Sequence, residues 1–438
     1  MGVTDQSVTQ STRKFSHGVV HDRHVSEFVN PVSLQNSFAP TKMKTSRRKF
    51  LETAVALPAS LISVSSHAEG QKQSGFDPWV EVHAGHLRHN VQEVARRVSG
   101  RPILAVIKNN GYGLGVANVA RILEPMTEVQ GLAVIKFQEA AVLRDAGIRK
   151  PVLLLGPLDE SEFEEAVALN IMPMVYTDVG SSLEKASRKH QKKVPVHICI
   201  DTGIGRVGVP AAKALPLIRQ LALLKSIEIA GIMMTFTEDP EFDKEQFMLF
   251  ESLCASLQQL GITVGMKHAV SSYGLFQHPD MFLDMVRPGM ALYGVYPDKE
   301  FSKTTVLNLL PAVSLKTRVI YTKQLKRGES AGYNRVFVAK EDTWVATLPA
   351  GHADGIPREV TKGGRIRISD GMYPAVAISA SHCIVDLGPT TNVRVGDVAT
   401  VFDWQDGSRP EDMSAACGSS VYDLTMHLNP LLPRKMIS

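Results

Sequence analysis

Cysteine is scarce in this chain: four residues in 438, Cys199, Cys254, Cys383 and Cys417, with no C-x-x-C pair and no metal spacing. That excludes a zinc or iron–sulfur module and any fold built on a disulfide framework; a disulfide is permitted outside the cytoplasm, but no spacing demands one. There is no internal repeat and no low-complexity tract. No Gly-x-Gly-x-x-Gly follows the first strand-like run, so the dinucleotide fingerprint of a doubly wound sheet is missing. Single-sign charge is also absent from most of the chain. The formal net charge is +4, yet residues 1–68 hold eight Lys or Arg against four Asp or Glu, which leaves the remainder neutral. A neutral body gives no electrostatic reason to expect a nucleic-acid partner.

What is present begins with a leader. Ser46-Arg47-Arg48-Lys49-Phe50-Leu51 is a twin-arginine pattern, the apolar run Ala54–Val64 follows, and Ser66-His67-Ala68 offers small residues at both positions a signal peptidase inspects. The apolar run is too short to stay as an anchor and contains Pro58. The reading is an exported, periplasmic protein with no membrane anchor after cleavage, whose true start is Met43. A route that carries folded proteins would let a cytoplasmic cofactor be loaded before export.

From about Trp79 to Tyr293, short β-branched runs alternate with amphipathic segments. The runs are 103–107, 131–135, 152–155, 172–176, 194–200, 227–234 and 266–270, with a weaker eighth near 283–286. Helical patterns lie between them at 139–146, 178–189, 211–224 and 243–260. Eight such units predict a closed (β/α)8 barrel of the TIM type, here given the bounds 69–298. After Pro297 the texture becomes short strands, 313–321, 343–348, 365–368, 375–385 and 398–402, broken by Gly, Pro and Asp. This predicts a mostly β C-terminal domain over 299–438.

The chemistry-bearing motifs follow strand ends, where barrels place catalysis. Lys108 ends the first strand, in Ala105-Val106-Ile107-Lys108-Asn109-Asn110-Gly111-Tyr112-Gly113. A lysine leaving an apolar strand is partly desolvated and can lose its proton, as a Schiff-base amine must; alone, such a lysine is as readily a snorkelling strand end. Asp201-Thr202-Gly203-Ile204-Gly205-Arg206 follows the fifth strand, and Arg287-Pro288-Gly289-Met290 the eighth. In the second domain come Ser330-Ala331-Gly332-Tyr333, then Gly351-His352-Ala353-Asp354-Gly355-Ile356-Pro357-Arg358, then Tyr422-Asp423-Leu424.

With these landmarks in order from Trp79 to the C-terminus, the sequence resembles the alanine racemase family, whose fold is a pyridoxal-phosphate barrel followed by a β domain. The resemblance implies that Lys108 holds the cofactor covalently and is the base on one face of the substrate. Tyr333 would be the base on the opposite face, contributed by the second subunit of a homodimer with shared sites. Arg287 would face the pyridine nitrogen and, unable to give up its proton, keep that nitrogen unprotonated. Arg206 would lie near the cofactor phenolate and the substrate carboxylate. Tyr112, Tyr422, Ser272 and the amides of Gly289 and Met290 would take the phosphate. The implied substrate is a small amino acid and the implied reaction L–D interconversion, supplying or recycling D-amino acids for peptidoglycan or signalling.

This chain departs from the family pattern close to the chemistry. Leu114 stands for a histidine, Cys199 for an often carbamylated lysine that anchors the arginine, and Thr235 for a relaying histidine. Ser271 replaces an asparagine and His352 a tyrosine, and Ser379-Ala380-Ser381 replaces Ser-Met-Asp at the substrate mouth around Ala380. A mouth without that methionine and carboxylate predicts a broader substrate range, with less repulsion of acidic or polar side chains. Two other readings compete: a barrel lyase or decarboxylase on the same cofactor, against which Arg287 argues, and a cofactor-binding homologue that has lost efficient catalysis.

Overall fold

A computed structural model describes residues 75–438; the twin-arginine pattern, the cleavage site and Met43 lie outside the described residues. Seven of the expected runs form parallel strands joined in chain order: Ile103–Val106, Val129–Val134, Val152–Leu154, Ile171–Val175, Val194–Asp201, Ile227–Met233 and Met266–His268. Their residues are almost all buried, as expected when a barrel interior lies on one side and a helix layer on the other.

The eighth run does not become a regular strand. Val286 makes a single parallel bridge to Ile103, yet hydrogen bonds still close the ring. Leu104 N donates to Val286 O (2.9 Å), Val106 N to Pro288 O (2.9 Å), and on the other side Arg287 N donates to Val270 O (2.8 Å). The reason for the irregularity is local. Leu283 is left-handed (φ 55°) and Pro288 has no N–H to give a ladder.

The second sheet has nine strands, in the order Tyr321–Leu325, Thr343–Leu348, Cys383–Gly388, Gly371–Ile378, Arg365–Ile368, Val398–Phe402, Val313–Arg318, Trp79–His83 and Arg434–Ile437. Two expected runs are each split by a turn: 313–321 is the whole of one strand, Val313–Arg318, and the first residue of the next, and 375–385 is a hairpin. The strand Trp79–His83, from the segment read as barrel, lies in this sheet. It pairs antiparallel with Val313–Arg318 and parallel with Arg434–Ile437.

The C-terminal helix Val421–Met426 is seated against the first barrel loop, at Gly113. A Cβ on Gly113 (φ 86°) would stand 2.0 Å from Thr425 O, so only glycine permits this approach. Arg434 donates to Gly113 O through Nε (3.1 Å) and Nη2 (2.8 Å). The contact brings Tyr422 of the β domain to the barrel mouth. Among the described residues all four cysteines are free thiols, no three His, Cys, Asp or Glu are grouped to hold a metal, and no helix is long and apolar enough to cross a membrane.

Candidate active site

Lys108 stands half-buried at the end of the first barrel strand, and the chain then turns the wrong way for an L-peptide. Asn109, Asn110, Gly111 and Tyr112 have φ of 55°, 57°, 61° and 52°. Asparagine and glycine tolerate this region; a tyrosine there is an outlier that its surroundings must enforce. Glu139 supplies part of that force: its carboxylate accepts from Asn110 N (2.7 Å) and from Ile135 N and Lys136 N (3.3 Å each). Asn110 Oδ1 in turn accepts from Val116 N (3.1 Å). The turn carries Tyr112 inward, where its ring stacks on Tyr293 at 4.5 Å. Burial and the nearby Arg206 cation lower the Lys108 pKa from its ordinary value, against a smaller opposing pull from Glu139. The neutral, nucleophilic amine is thereby favoured.

Next to Tyr112 lies a polar cradle. Ser272 Oγ accepts from Gly289 N (3.0 Å) and Ala291 N (3.1 Å), which leaves its own proton free to donate. The Gly289 amide, expected to face a phosphate directly, is thus engaged by the serine. A Cβ on Gly289 would come within 2.2 Å of Tyr112 Oη, so glycine keeps this corner open. Burial raises the Tyr112 pKa well above that of a free phenol and pushes Tyr422 up to about 12. Both hydroxyls therefore stay protonated and are donors at neutral pH.

The barrel floor is dominated by Arg287. Its guanidinium is buried, and Nη1 donates to His268 Nδ1 (2.8 Å) and His268 O (2.7 Å). Nη2 donates to Met234 O (2.6 Å), Ala269 O (3.2 Å) and, at 3.5 Å, Thr235 Oγ1. Arginine can only donate, so His268 Nδ1 is unprotonated and its proton sits on Nε2. That Nε2 lies 2.8 Å from His197 Nδ1, so His197 accepts and carries its own proton on Nε2. Burial first, and Arg287 second, hold His268 far below the ordinary histidine value and His197 at about 4. Both rings are neutral. Gly231 makes room for them, since a Cβ there would meet His197 Nδ1 at 2.4 Å. Cys199 is neutral too: burial pushes its thiol up to about 11 despite two neighbouring arginines. Arg287, lowered by burial to about 10, keeps its charge at neutral pH with no carboxylate beside it.

One cavity of about 430 Å³ joins these pieces. Lys108, Tyr112, Arg206, Ser272, Arg287, Gly289, Met290 and Tyr422 all line it. Arg206 is exposed at the mouth, and no ion pair holds its guanidinium among the described residues. Tyr333 and Ala380 are elsewhere. They line a second pocket, about 630 Å³, with His352, Arg358 and Ser379. Tyr333 is 80% exposed, so it is not a core residue. It is presented by a strained loop in which Gly332, Asn334 and Arg335 have φ of 79°, 55° and 54°, braced by Arg335 donating to Gly328 O (2.8 Å). Sequence reasoning missed His197, His268 and Glu139. The only signal for them was a charged or imidazole side chain inside an apolar strand or at a helix start.

A nucleophilic lysine, a donor cradle and an unpaired arginine in one barrel mouth define an enzyme class that works on a cofactor bearing a carbonyl and a phosphate. Comparison with known proteins agrees. The models "Alanine racemase, N-terminal domain" and "Alanine racemase, C-terminal domain" match residues 82–297 and 312–436, and the chain belongs to the alanine racemase family. The alanine racemase of Methanococcus maripaludis is 34% identical over 81% of this chain and 97% of its own, and that of Clostridium tetani 32% over 82% and 95%. Among solved structures, the alanine racemase of Streptomyces lavendulae superimposes with a TM-score of 0.79 at 25% identity, covering 83% of this chain and 97% of that one. The alanine racemase of Clostridium difficile 630 gives 0.77 at 27%, covering 82% and 95%. The chain is an amino-acid racemase of the pyridoxal-phosphate-dependent kind, and its residues fit the group. The cavity lies within the usual range for a small ligand. Lys108 is poised as an amine, the Ser272 proton and the two phenols are donors for a phosphate, and Arg287 offers a fixed cation to a ring nitrogen.

Proposed function

We propose that this enzyme interconverts L- and D-alanine, with tolerance for larger amino acids, by two bases drawn from two copies of the chain. The observation that carries this reading is the separation of Lys108 and Tyr333 into two pockets that share no residue. A racemase needs one group on each face of the α-carbon. This chain offers one at the barrel mouth and the other on an exposed loop of the β domain, as if for a partner. Pyridoxal phosphate, when bound, acidifies the α-C–H of the amino acid joined to it. Lys108, with its lowered pKa, takes or returns the proton on one face, and Tyr333 serves the other. Arg206 orients the substrate carboxylate. Ser272, Tyr112, Tyr422 and the Gly289–Met290 turn hold the phosphate, and Arg287 excludes a proton from the ring nitrogen. The neutral residues Ala380 and Ser381 widen the mouth. Export by the twin-arginine route, with the cofactor already loaded, is supported by the order of basic, apolar and small-residue segments over 46–68.

Subunit mixing tests the shared site. Lys108→Ala and Tyr333→Phe homodimers should each be nearly inactive. After exchange, about half of the dimers are hybrids with one complete site, so about a quarter of wild-type L-alanine racemisation returns. No recovery, with hybrids verified by two tags, would place both bases in one chain.

A further inference from the structure

The mouth of the barrel holds one acidic side chain that no step above uses. Glu238 lines the cavity together with Tyr273 and Tyr422. It is exposed on its outer side, and its backbone is left-handed (φ 70°). The conformation is enforced from beneath. Buried Asp243 accepts from Glu238 N (3.2 Å) and Thr237 N (2.9 Å), buried Gln246 Oε1 also accepts from Thr237 N (3.0 Å), and Asp243 Oδ2 pairs with His278 Nε2 at 2.8 Å. A loop fixed this firmly presents its carboxylate at one place. Among the described residues no cation pairs with it: partial burial and the neighbouring Asp243 raise the Glu238 pKa, and none of their positive charges opposes this. Its other neighbours are the phenols of Tyr273 and Tyr422, whose own pKa values its charge helps to raise.

An unmatched carboxylate flanked by two aromatic rings is the chemistry that receives an ammonium or guanidinium group, by charge-assisted hydrogen bonding and by the ring faces. The amino-acid end of a substrate is held at Lys108, with its carboxylate toward Arg206, in the cavity that Glu238 also lines. A long side chain ending in a cation is the kind that carries a charge away from Lys108 toward the Glu238 wall of that cavity. We infer that Glu238, with Tyr273 and Tyr422, is a specificity-determining site that selects amino acids with a long cationic side chain, such as lysine, ornithine or arginine. The inference rests on the racemase reading and turns its broader range in one direction: toward cationic side chains, and not toward the acidic ones that the loss of a carboxylate at Ser381 suggested.

The experiment compares kcat/KM for L-lysine, for L-norleucine (an uncharged chain of similar length) and for L-alanine, in the cofactor-loaded dimer. Lysine should exceed norleucine, and Glu238→Gln should shrink the lysine-to-norleucine ratio about tenfold, the worth of one hydrogen bond to a charge. Glu238→Lys should move the preference toward glutamate. A wild-type ratio near one, which is what a cation supplied by a second copy to Glu238 would produce, overturns the inference, as does a ratio that Glu238→Gln leaves intact. If alanine is turned over and lysine is not favoured, only this inference fails. If no amino acid is turned over, the racemase reading fails, and binding of lysine against norleucine, followed by cofactor absorbance, still decides the site: equal binding overturns it.

Discussion

The buried imidazole pair under Arg287 makes the folded protein sensitive to mild acid in a way that can be calculated. Once the chain unfolds, His197 and His268 take up protons near the ordinary histidine value of about 6.5. Folded, His197 does so only at about 4 and His268 well below its ordinary value, because burial and the fixed Arg287 charge both oppose a second cation. Below about pH 6.5 the unfolded state therefore binds more protons, and stability falls as pH falls. For His197, moving from pH 8 to pH 5 removes about 2 kcal/mol, and His268, lowered in the same direction, adds a loss of the same sign. The His197 loss alone is a sizeable part of the usual stability of a domain.

His197→Asn isolates the His197 part of this effect. Asparagine places an oxygen where Nδ1 now accepts the His268 proton, so the hydrogen bond survives while the titration is lost. Urea unfolding at pH 8 and pH 5, at one protein concentration and with the cofactor fixed on its lysine by borohydride, gives the pH-dependent difference for each protein. Exposed carboxylates titrate alike in both and cancel. The variant should lose about 2 kcal/mol less than wild type between the two pH values. An identical pH dependence, or an NMR titration placing the folded His197 near 6.5, would refute the argument.

Other outcomes follow from the same geometry. Borohydride reduction of the yellow protein should bleach its absorbance and leave the label on Lys108; Lys108→Ala should bind no label. Tyr333→Phe should lower kcat roughly 10²–10⁴-fold, the usual loss on removing a general acid–base group, without weakening cofactor binding, since Tyr333 lies in a different pocket from the cradle. Gly289→Ala should weaken cofactor retention on dilution, because the new methyl displaces Tyr112 Oη. Gly113→Ala should cost roughly 2–4 kcal/mol of stability, from a forced left-handed alanine and a clash with Thr425 O.

How much of this was legible beforehand depended on whether a residue's role is set by its neighbours in the chain or across the fold. Lys108, Arg206, Arg287 and the Gly289–Met290 turn belong to short runs after apolar strands, and the barrel brings strand ends together whatever the helices contribute. Those residues could be named from the sequence and are found in one cavity. The eighth strand was faint in the sequence and is irregular in the structure, with a left-handed residue at its start and a proline after its end. Trp79–His83 could not be assigned to its sheet, because its pairing partners lie more than 200 residues away and alternation alone does not choose between barrel and β domain. The left-handed turn after Lys108 was hidden for a different cause. Two asparagines and a glycine hint at it, but the tyrosine that follows argues against it, and contacts from across the fold, the Glu139 carboxylate among them, settle the conflict.

The substitutions that looked like damage in the sequence have a common electrical sense in the structure. Cys199 and Thr235 leave no anion and no titratable relay beside the two arginines, and the floor beneath Arg287 is made of carbonyls and neutral imidazoles. Lys108, Arg206 and Arg287 therefore face a cavity whose walls bring a single carboxylate, that of Glu238. A site with excess positive charge at its base is costly while empty of anions and favourable once a phosphate and a carboxylate occupy it. The missing negative charge is what the cofactor and substrate bring. On this argument Cys199→Asp should strengthen the apo protein by giving Arg287 and Arg206 a counter-charge, and weaken its hold on substrate carboxylate, raising KM for alanine more than it lowers kcat. A variant that gained stability with KM unchanged would show that the excess charge serves the cofactor alone.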